Sequence, residues 1–233
     1  PGDLAYRDMR NHFFGEERRV FSLVRDDIET DPMHGKDLSE RERILLESFK
    51  ADISHRVHEK SIGSDGGLFT VFCIDSPHFY YQWHKDFDPP FKPYFQGTYL
   101  PSRPDDDELQ LVKNKYQNAL AWSDTLVENF CKHLQQEGIY DDSIVIIMGD
   151  HGEELQDNGG WLHVSSLEDE QVRVPMLIKW PKGVLSENEG RGPAIRDASQ
   201  LDLLPSMLEF MYGSEVDSLA GVSLLRSDPR SAI

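Results

Sequence analysis

A short apolar run, Ile144–Met148, ends at Gly149-Asp150-His151-Gly152, and this junction strongly constrains what the chain can fold into. The run is mostly β-branched and too short for a helix, so it is typical of a strand that is buried on both faces. In open α/β sheets, ligands bind at the carboxyl ends of the strands. The sequence therefore predicts a strand over residues 143–149 that delivers Asp150 and His151 to a candidate site.

Asp150 and His151 offer a carboxylate oxygen and an imidazole nitrogen side by side, and this pair suits a divalent ion of the zinc or manganese type. Neighbouring residues of a regular strand point to opposite faces, so both can reach one ion only where the backbone has left the strand. Gly152 lowers the conformational cost of such a turn. An ordinary surface loop is the alternative interpretation, but the residues after the motif favour a metal site.

Two further apolar runs, at residues 68–74 and 174–180, are interpreted as buried strands. The first run leads into Asp75-Ser76-Pro77-His78, which places His78 at a strand end. His163 follows the motif across a glycine-containing turn that could fold it back over the metal. His78 and His163 are therefore candidate site residues.

Apolar side chains recur three or four residues apart in three segments, which predicts helices over about 39–60, 106–137 and 198–212. Ser39 followed by Glu42 predicts a capping box at the start of the first helix. The succession of strands and helices along the chain is typical of an α/β layered sheet.

Residues 79–104 are predicted to form a long loop that is rich in aromatic side chains and proline, a composition that argues against disorder. Two interpretations of the aromatic residues carry equal weight. In the first, the aromatic residues form a hydrophobic cluster that holds the loop in place. In the second, they form the apolar wall of a lid that faces the substrate, for example a lipid.

The chain of 233 residues has 42 acidic and 24 basic side chains and a formal net charge of −18. Such a surface repels phosphate backbones, so the composition argues against nucleic-acid binding. An anionic substrate would need a local positive centre, which a bound divalent cation would supply. The two cysteines, Cys73 and Cys131, are too few for a disulfide framework and are predicted to be buried free thiols.

Several segments resemble, in their order and spacing, the C-terminal part of the sulfatase-family domain in the alkaline phosphatase superfamily. They are DSPH at 75–78, the helix with Tyr116 and Asp124, GDHGEE at 149–154, EQVRVPMLIKWPKG at 170–183, SQLDLLPSMLEFMYG at 199–213 and AGVSLL at 220–225. The resemblance extends over residues 66–225. It is closest to bacterial inner-membrane sulfatase-like proteins that carry a periplasmic domain.

The resemblance implies an α/β fold, an alkaline-phosphatase-like layered sheet with helices on both faces, from which the N-terminal part is expected to be missing. Residues 1–233 are then a single partial sulfatase-like domain, with a helical lead-in at 1–65 and a family-matching core at 66–225. The family's nucleophile and its other metal carboxylate come from the N-terminal part, and neither cysteine fits the family's Cys-x-Pro-x-Arg motif. These residues alone are therefore expected to be inactive and to bind metal weakly.

The resemblance further implies that Asp150 and His151 bind a divalent metal (Mn, Zn, Mg or Ca), while His78 and His163 contact the substrate's anionic group or a second metal. The implied function is part of a metal-dependent phosphate- or sulfate-ester hydrolase or transferase in an extracytoplasmic, membrane-tethered parent. Its expected partner is an anionic ester, with a lipid-linked one as a candidate. The alternative is a catalytically lapsed sulfatase-like module that regulates or binds lipid.

Other polar residues near these motifs receive structural interpretations. Glu153 and Glu154 are expected to orient His151 or to cap the next turn, with the cap favoured for one of them. Arg173 is expected to form a surface ion pair, and Asp202 to belong to the structural signature of the last helix.

Overall fold

Two long helices are the longest elements of this computed structural model, which describes residues 37–59, 67–184, 198–214 and 219–225. Helix α1 is Leu38–His58 and helix α2 is Asp106–Gln136. The chain divides into two compact units, Pro1–Pro181 and Lys182–Ile233. Of the predicted lead-in at 1–65, residues 1–36 and 60–65 lie outside the described part.

Helix α1 begins differently from the prediction. Asp37 is its N-cap, and the Asp37 carboxylate accepts a hydrogen bond from the backbone N–H of Glu40 at 2.9 Å. The predicted capping box is therefore wrong. Ser39 donates its hydroxyl to Asp37, and the side chain of Glu42 turns inward, where the residue is only 2% exposed. Helix α1 thus carries a carboxylate on its packed face.

Helix α2 agrees closely with its predicted range. Asp105 and Glu108 form a capping box at its start, and the helix ends shortly before Gly138, whose φ is +74°. Apolar side chains on one side of α2 are buried. Val112 and Ala119 belong to one cluster, and Trp122 and Leu126 to another.

The strands are short and antiparallel. Strand β1, Val145–Met148, pairs with strand β4, Met176–Lys179, and the two-residue strands β2, Glu154–Leu155, and β3, Trp161–Leu162, pair with each other. Helix α3, Asp169–Val172, lies between β3 and β4 in the chain.

The prediction that residues 143–149 are buried on both faces is wrong for the described structure. Ile147 is 37% exposed, Met148 38% and Leu177 59%. The physical reason is that β1 and β4 pair only with each other among the described residues. A two-stranded ribbon cannot cover both of its own faces.

The predicted strand at 68–74 is also wrong, because no described residue pairs with this segment in a ladder. Its side chains nevertheless alternate. Phe72 and Ile74 pack against the cluster that contains Leu46 and Trp122, whereas Phe69 is 69% exposed. Cys73 is likewise exposed and Cys131 is only half-buried, so the predicted burial of the two free thiols is wrong.

The loop at 79–104 has a packed aromatic interior. Tyr81 is 1% exposed and belongs to a cluster with Val112, Ala119 and Leu155, against which Phe79, Trp83, Phe95, Leu100, Tyr116 and Trp161 pack. These contacts support the interpretation that the aromatics hold the loop in place. Tyr80, Phe91 and Tyr99 stay exposed, so part of the loop presents aromatic rings to solvent.

In the second unit, a 3-10 turn at Gln200–Asp202 leads into helix α4, Leu203–Tyr212. The fully buried Asp202 accepts hydrogen bonds from the N–H groups of Ser199 at 2.7 Å and Val222 at 2.8 Å. This confirms its structural role. Within the described ranges, none of the helices is long and apolar enough to span a membrane.

Candidate functional site

Asp150 and His151 lie just after β1, where the backbone has left the strand. The Asp150 carboxylate accepts a hydrogen bond from the N–H of His151 at 3.0 Å. Nδ1 of His151 lies 2.9 Å from the carbonyl oxygen of Gly152, a contact that makes Nδ1 the protonated nitrogen. In the neutral imidazole the other ring nitrogen, Nε2, carries the lone pair, and it lies 3.7 Å from Oδ2 of Asp150.

The spacing of these two atoms fits a shared metal ion. Ligands about 2.1 Å from one tetrahedral ion lie about 3.4 Å from each other. The observed separation of 3.7 Å is close to this value, and the Asp150 side chain is 87% exposed and can adjust. The donor set, one carboxylate oxygen and one imidazole nitrogen, suits a divalent ion of the zinc or manganese type.

Gly152 holds this turn against the short helix α3. Its N–H donates to the carbonyl of Gln171 at 2.8 Å, and a Cβ on Gly152 would lie 2.0 Å from the carbonyl oxygen of Glu170. The backbone φ of Gly152 is not in the left-handed region. Glycine is therefore required by a close approach of two backbone segments, rather than by the turn conformation that the sequence suggested.

His163 lies beside His151. Its ring stacks on the ring of His151 with centroids 3.8 Å apart, and its Nδ1 lies 2.9 Å from Oε2 of Glu153. The other oxygen of Glu153 accepts the hydroxyl of Tyr81 at 2.9 Å. Burial, reinforced by the charge of Glu153, raises the pKa of Tyr81, so the phenol remains a donor. Glu153 thus orients His163, whereas the sequence suggested that it orients His151.

His151, Glu153 and His163 also offer ligand atoms that all lie within 4.8 Å of one another. The Glu153 side chain is 6% exposed, and each of its oxygens already has a hydrogen-bond partner. Binding a metal there would break at least one of those bonds. Glu153 therefore acts as a support for His163, while Oδ2 of the exposed Asp150 lies 3.7 Å from Nε2 of His151.

His78 completes a group of three histidines. Its ring centroid lies 5.7 Å from that of His163 in an edge-to-face arrangement, and its Nδ1 lies 2.7 Å from the carbonyl oxygen of Phe79. The fold therefore brings the rings of His78, His163 and His151 together next to the carboxylate of Asp150. Such a group can bind a metal and an anion side by side.

Two buried residues shape the loop that carries His163. The sequence alone did not assign either of them to the site. Glu154 accepts hydrogen bonds from Gln171 and from the N–H groups of Gly160 and Asn158, and these bonds hold the pKa of Glu154 below its usual range. Gln171 accepts from the N–H groups of Ser165 and its neighbour at 3.2 and 3.3 Å. A lone glutamine in a short helix carries no sequence signal for this role. Glu154 fits the capping alternative.

Arg173 lies outside this group. It pairs with Asp169 at 3.2 Å, and both side chains are about two-thirds or more exposed, at 73% and 69%. The predicted surface ion pair is confirmed.

The sulfatase family model matches residues 44–214. The chain belongs to the sulfatase family. This membership confirms the resemblance seen in the sequence and the alkaline-phosphatase-like α/β class that it implied.

Known proteins similar to this chain are considerably longer. An arylsulfatase of Clostridium perfringens is 25% identical over 65% of this chain and 34% of its own length. The lipoteichoic acid synthase-like protein YvgJ of Bacillus subtilis is 27% identical over 52% of this chain and 21% of its own. Among solved structures, the phosphonate monoester hydrolase SpPMH from Silicibacter pomeroyi is 26% identical, with a TM-score of 0.44, over 52% of this chain and 23% of that one. The chain spans about a third or less of these relatives.

Proposed function

We propose that this chain carries part of a metal-dependent phosphate- or sulfate-ester site, in which Asp150 and His151 bind the metal and His78 and His163 contact the anionic group. The observation that carries the proposal is the 3.7 Å spacing of the Asp150 and His151 donor atoms beside two further imidazoles. Family membership and the arylsulfatase relative support an ester of sulfate or phosphate as the substrate. The reaction class is hydrolysis or group transfer.

Each side chain has a separate task in this proposal. A divalent metal supplies positive charge that polarises the ester and stabilises developing negative charge. Glu153 holds Nδ1 of His163, and the opposite ring nitrogen would donate to an anion when the imidazole carries a proton on both nitrogens. The carbonyl of Phe79 holds Nδ1 of His78 in the same way. The net charge of −18 repels an anion, so the metal and the histidines must overcome that field locally.

The cellular location belongs to the same proposal. The YvgJ relative and the sequence resemblance support an extracytoplasmic, membrane-tethered parent with a lipid-linked ester as one candidate substrate. The nucleophile of the reaction is not assigned to any residue of this chain.

A second function is favoured by one specific observation. Tyr99 is 84% exposed, Tyr80 48% and Phe91 40%, all in the loop at 79–104. Exposed aromatic rings suit contact with a lipid surface. On this alternative, the chain is a lapsed sulfatase-like module that binds lipid or regulates, and it neither needs a metal nor binds the ester.

The test is the paramagnetic effect of Mn²⁺ on the histidine NMR signals, because a weak site is still visible by this method. We expect Mn²⁺ to broaden the signals of His151 and His163 before that of His55, which is on the exposed side of α1. Asp150→Ala should abolish this selectivity. Asp88→Ala, which removes an equally exposed carboxylate elsewhere, should preserve it.

Inorganic phosphate added with Mg²⁺ should then shift the signals of His78 and His163, with a smaller shift in the absence of the metal. Broadening that is uniform across the acidic surface and survives Asp150→Ala would contradict the proposal. Loss of both effects, together with binding to phosphatidylcholine vesicles, which carry no net charge, that weakens in Tyr99→Ala, would establish the lipid-binding alternative.

A further inference from the structure

Glu42 occupies a position on α1 where an apolar residue is expected. The buried residues of this helix are Ser39, Glu42, Leu46 and Ile53, and their spacing of three, four and seven residues puts them on the face that packs inward. Glu42 is 2% exposed. Among the described residues it has no salt bridge with a lysine, an arginine or a histidine. An ionised carboxylate in such a position is costly unless several donors compensate for the lost water.

Four donors provide that compensation, and they come from two other parts of the chain. Oε1 of Glu42 accepts the backbone N–H groups of Asp75 and Ser76, each at 2.7 Å. Oε2 accepts the hydroxyl of Ser76 and, at 3.1 Å, the indole N–H of Trp122 on α2. Burial raises the pKa of Glu42, while these four hydrogen bonds oppose that rise. One carboxylate therefore ties together α1, α2 and the turn that begins at Asp75.

The same turn carries His78. The N–H of His78 donates to the carbonyl of Asp75 at 2.9 Å, and the N–H of Gln82 donates to the carbonyl of Ser76 at 3.0 Å. Ser76 itself is fully buried. The turn is thus a small hydrogen-bonded unit, and Glu42 is bonded to its first two residues. A displacement of those residues would move the His78 ring relative to His163, 5.7 Å away.

We propose that Glu42 is a positioning residue that sets the location of His78 in the histidine group, through its hydrogen bonds to Asp75 and Ser76. The inference rests on the role of His78 in the proposed ester site. It is a statement about geometry, however, and can be tested without metal or ester. A leucine in this position would suit the helix and its packing, so a buried carboxylate here points to a task beyond stabilising α1.

The test is the magnetisation transfer (NOE) between the ring protons of His78 and His163, together with the His78 ring chemical shifts. Glu42→Leu keeps the size and helix preference of the residue but removes every acceptor. We expect it to abolish the His78–His163 cross-peak and to shift the His78 signals, while the exposed His55 on the same helix is unaffected. Glu42→Gln should largely restore the cross-peak, because its carbonyl oxygen can still accept from Asp75 and Ser76.

Trp122→Phe is the matched control. It removes one donor to Glu42 and leaves the two bonds to the turn, so the His78–His163 cross-peak should persist. If Glu42→Leu does not fold, Glu42→Asp carries the test, since its shorter side chain keeps the charge but cannot reach the turn, and it should displace the His78 signals.

An unchanged cross-peak in folded Glu42→Leu or Glu42→Asp would overturn the inference. A shift of all histidine signals together would overturn it as well, because that pattern reports general loosening. Failure of the proposed function would be seen separately, as the absence of any metal effect in the unsubstituted protein.

Discussion

At the scale of single residues, hydrogen bonds to buried carboxylates decide where the histidines lie. Glu153 is bonded to Tyr81 on one side and to His163 on the other. Glu154, the next residue, faces Gln171 and the loop backbone instead. Two adjacent glutamates therefore have different tasks, one supporting a candidate site residue and the other shaping the loop that carries it.

Removal of the Tyr81 hydroxyl tests the first of these tasks. Tyr81→Phe leaves one oxygen of the buried Glu153 without its donor, and a hydrogen bond to a charged group contributes about 1.5–3 kcal/mol. We expect the free energy of unfolding in urea to fall by an amount of that order. Tyr99→Phe, at a position that is 84% exposed, should change it by less than about 0.5 kcal/mol. Equal effects of the two changes would show that the Tyr81–Glu153 bond contributes nothing.

At the scale of secondary-structure elements, the candidate site is made by turns that are docked on one another, and not by strand ends in a continuous sheet. The turn after β1 docks on α3 through Gly152, and the turn at 75–78 docks on α1 through Glu42. The β2–β3 hairpin precedes His163 directly.

Gly152→Ala tests the docking of the first turn. Its Cβ would lie 2.0 Å from a backbone oxygen of Glu170, and backbone cannot move aside as easily as a side-chain end. Overpacking of this kind costs about 1–3 kcal/mol. We expect the free energy of unfolding to fall by at least that much and the Mn²⁺ selectivity for His151 to weaken. Gly67→Ala, at a position where a Cβ meets nothing within 4 Å, is the control, and a similar loss there would refute the docking argument.

At the scale of the whole molecule, the dominant property is negative charge. A formal charge of −18 on 233 residues repels itself and lowers the stability of the folded state. The same field opposes the approach of an anionic ester. Bound divalent cations would reduce both effects, which links the proposed metal site to the overall charge.

The thermal midpoint should therefore depend on salt. As the ionic strength rises from about 0.01 M to about 0.15 M, the Debye length falls from about 30 Å to about 8 Å and screens the repulsion. We expect the midpoint to rise at pH 7. The rise should be about 2–4 °C for each kcal/mol that screening adds to the free energy of unfolding. Near pH 4.8, the isoelectric point of the sequence, the rise should vanish. A thermal midpoint that does not change with salt at pH 7, or that rises equally at both pH values, would show that charge repulsion does not limit stability.

Short sequence patterns were enough to predict the long helices, the adjacent site residues and the family. The bounds of α1 and α2 follow from apolar spacing, because a helix buries one stripe whatever its partner is. The carboxylate of Asp150 and the imidazole of His151 are adjacent in the chain, so their proximity was implied once the strand ended there. The ordered motifs were enough to indicate the sulfatase family, which the match over residues 44–214 shows.

Tertiary structure decided the features that depend on distant partners. Glu42 looked like half of a capping box, because the donors that draw it inward lie more than 30 residues away in sequence. The run at 68–74 looked like a buried strand. A strand exists only where a neighbouring segment completes its hydrogen bonds, and the composition of the run does not show whether such a neighbour is present. The choice of Glu153 as the support for His163 likewise depended on the loop between them. Sequence thus determined which segments are apolar and which side chains carry the chemistry, while packing decided which of those side chains meet.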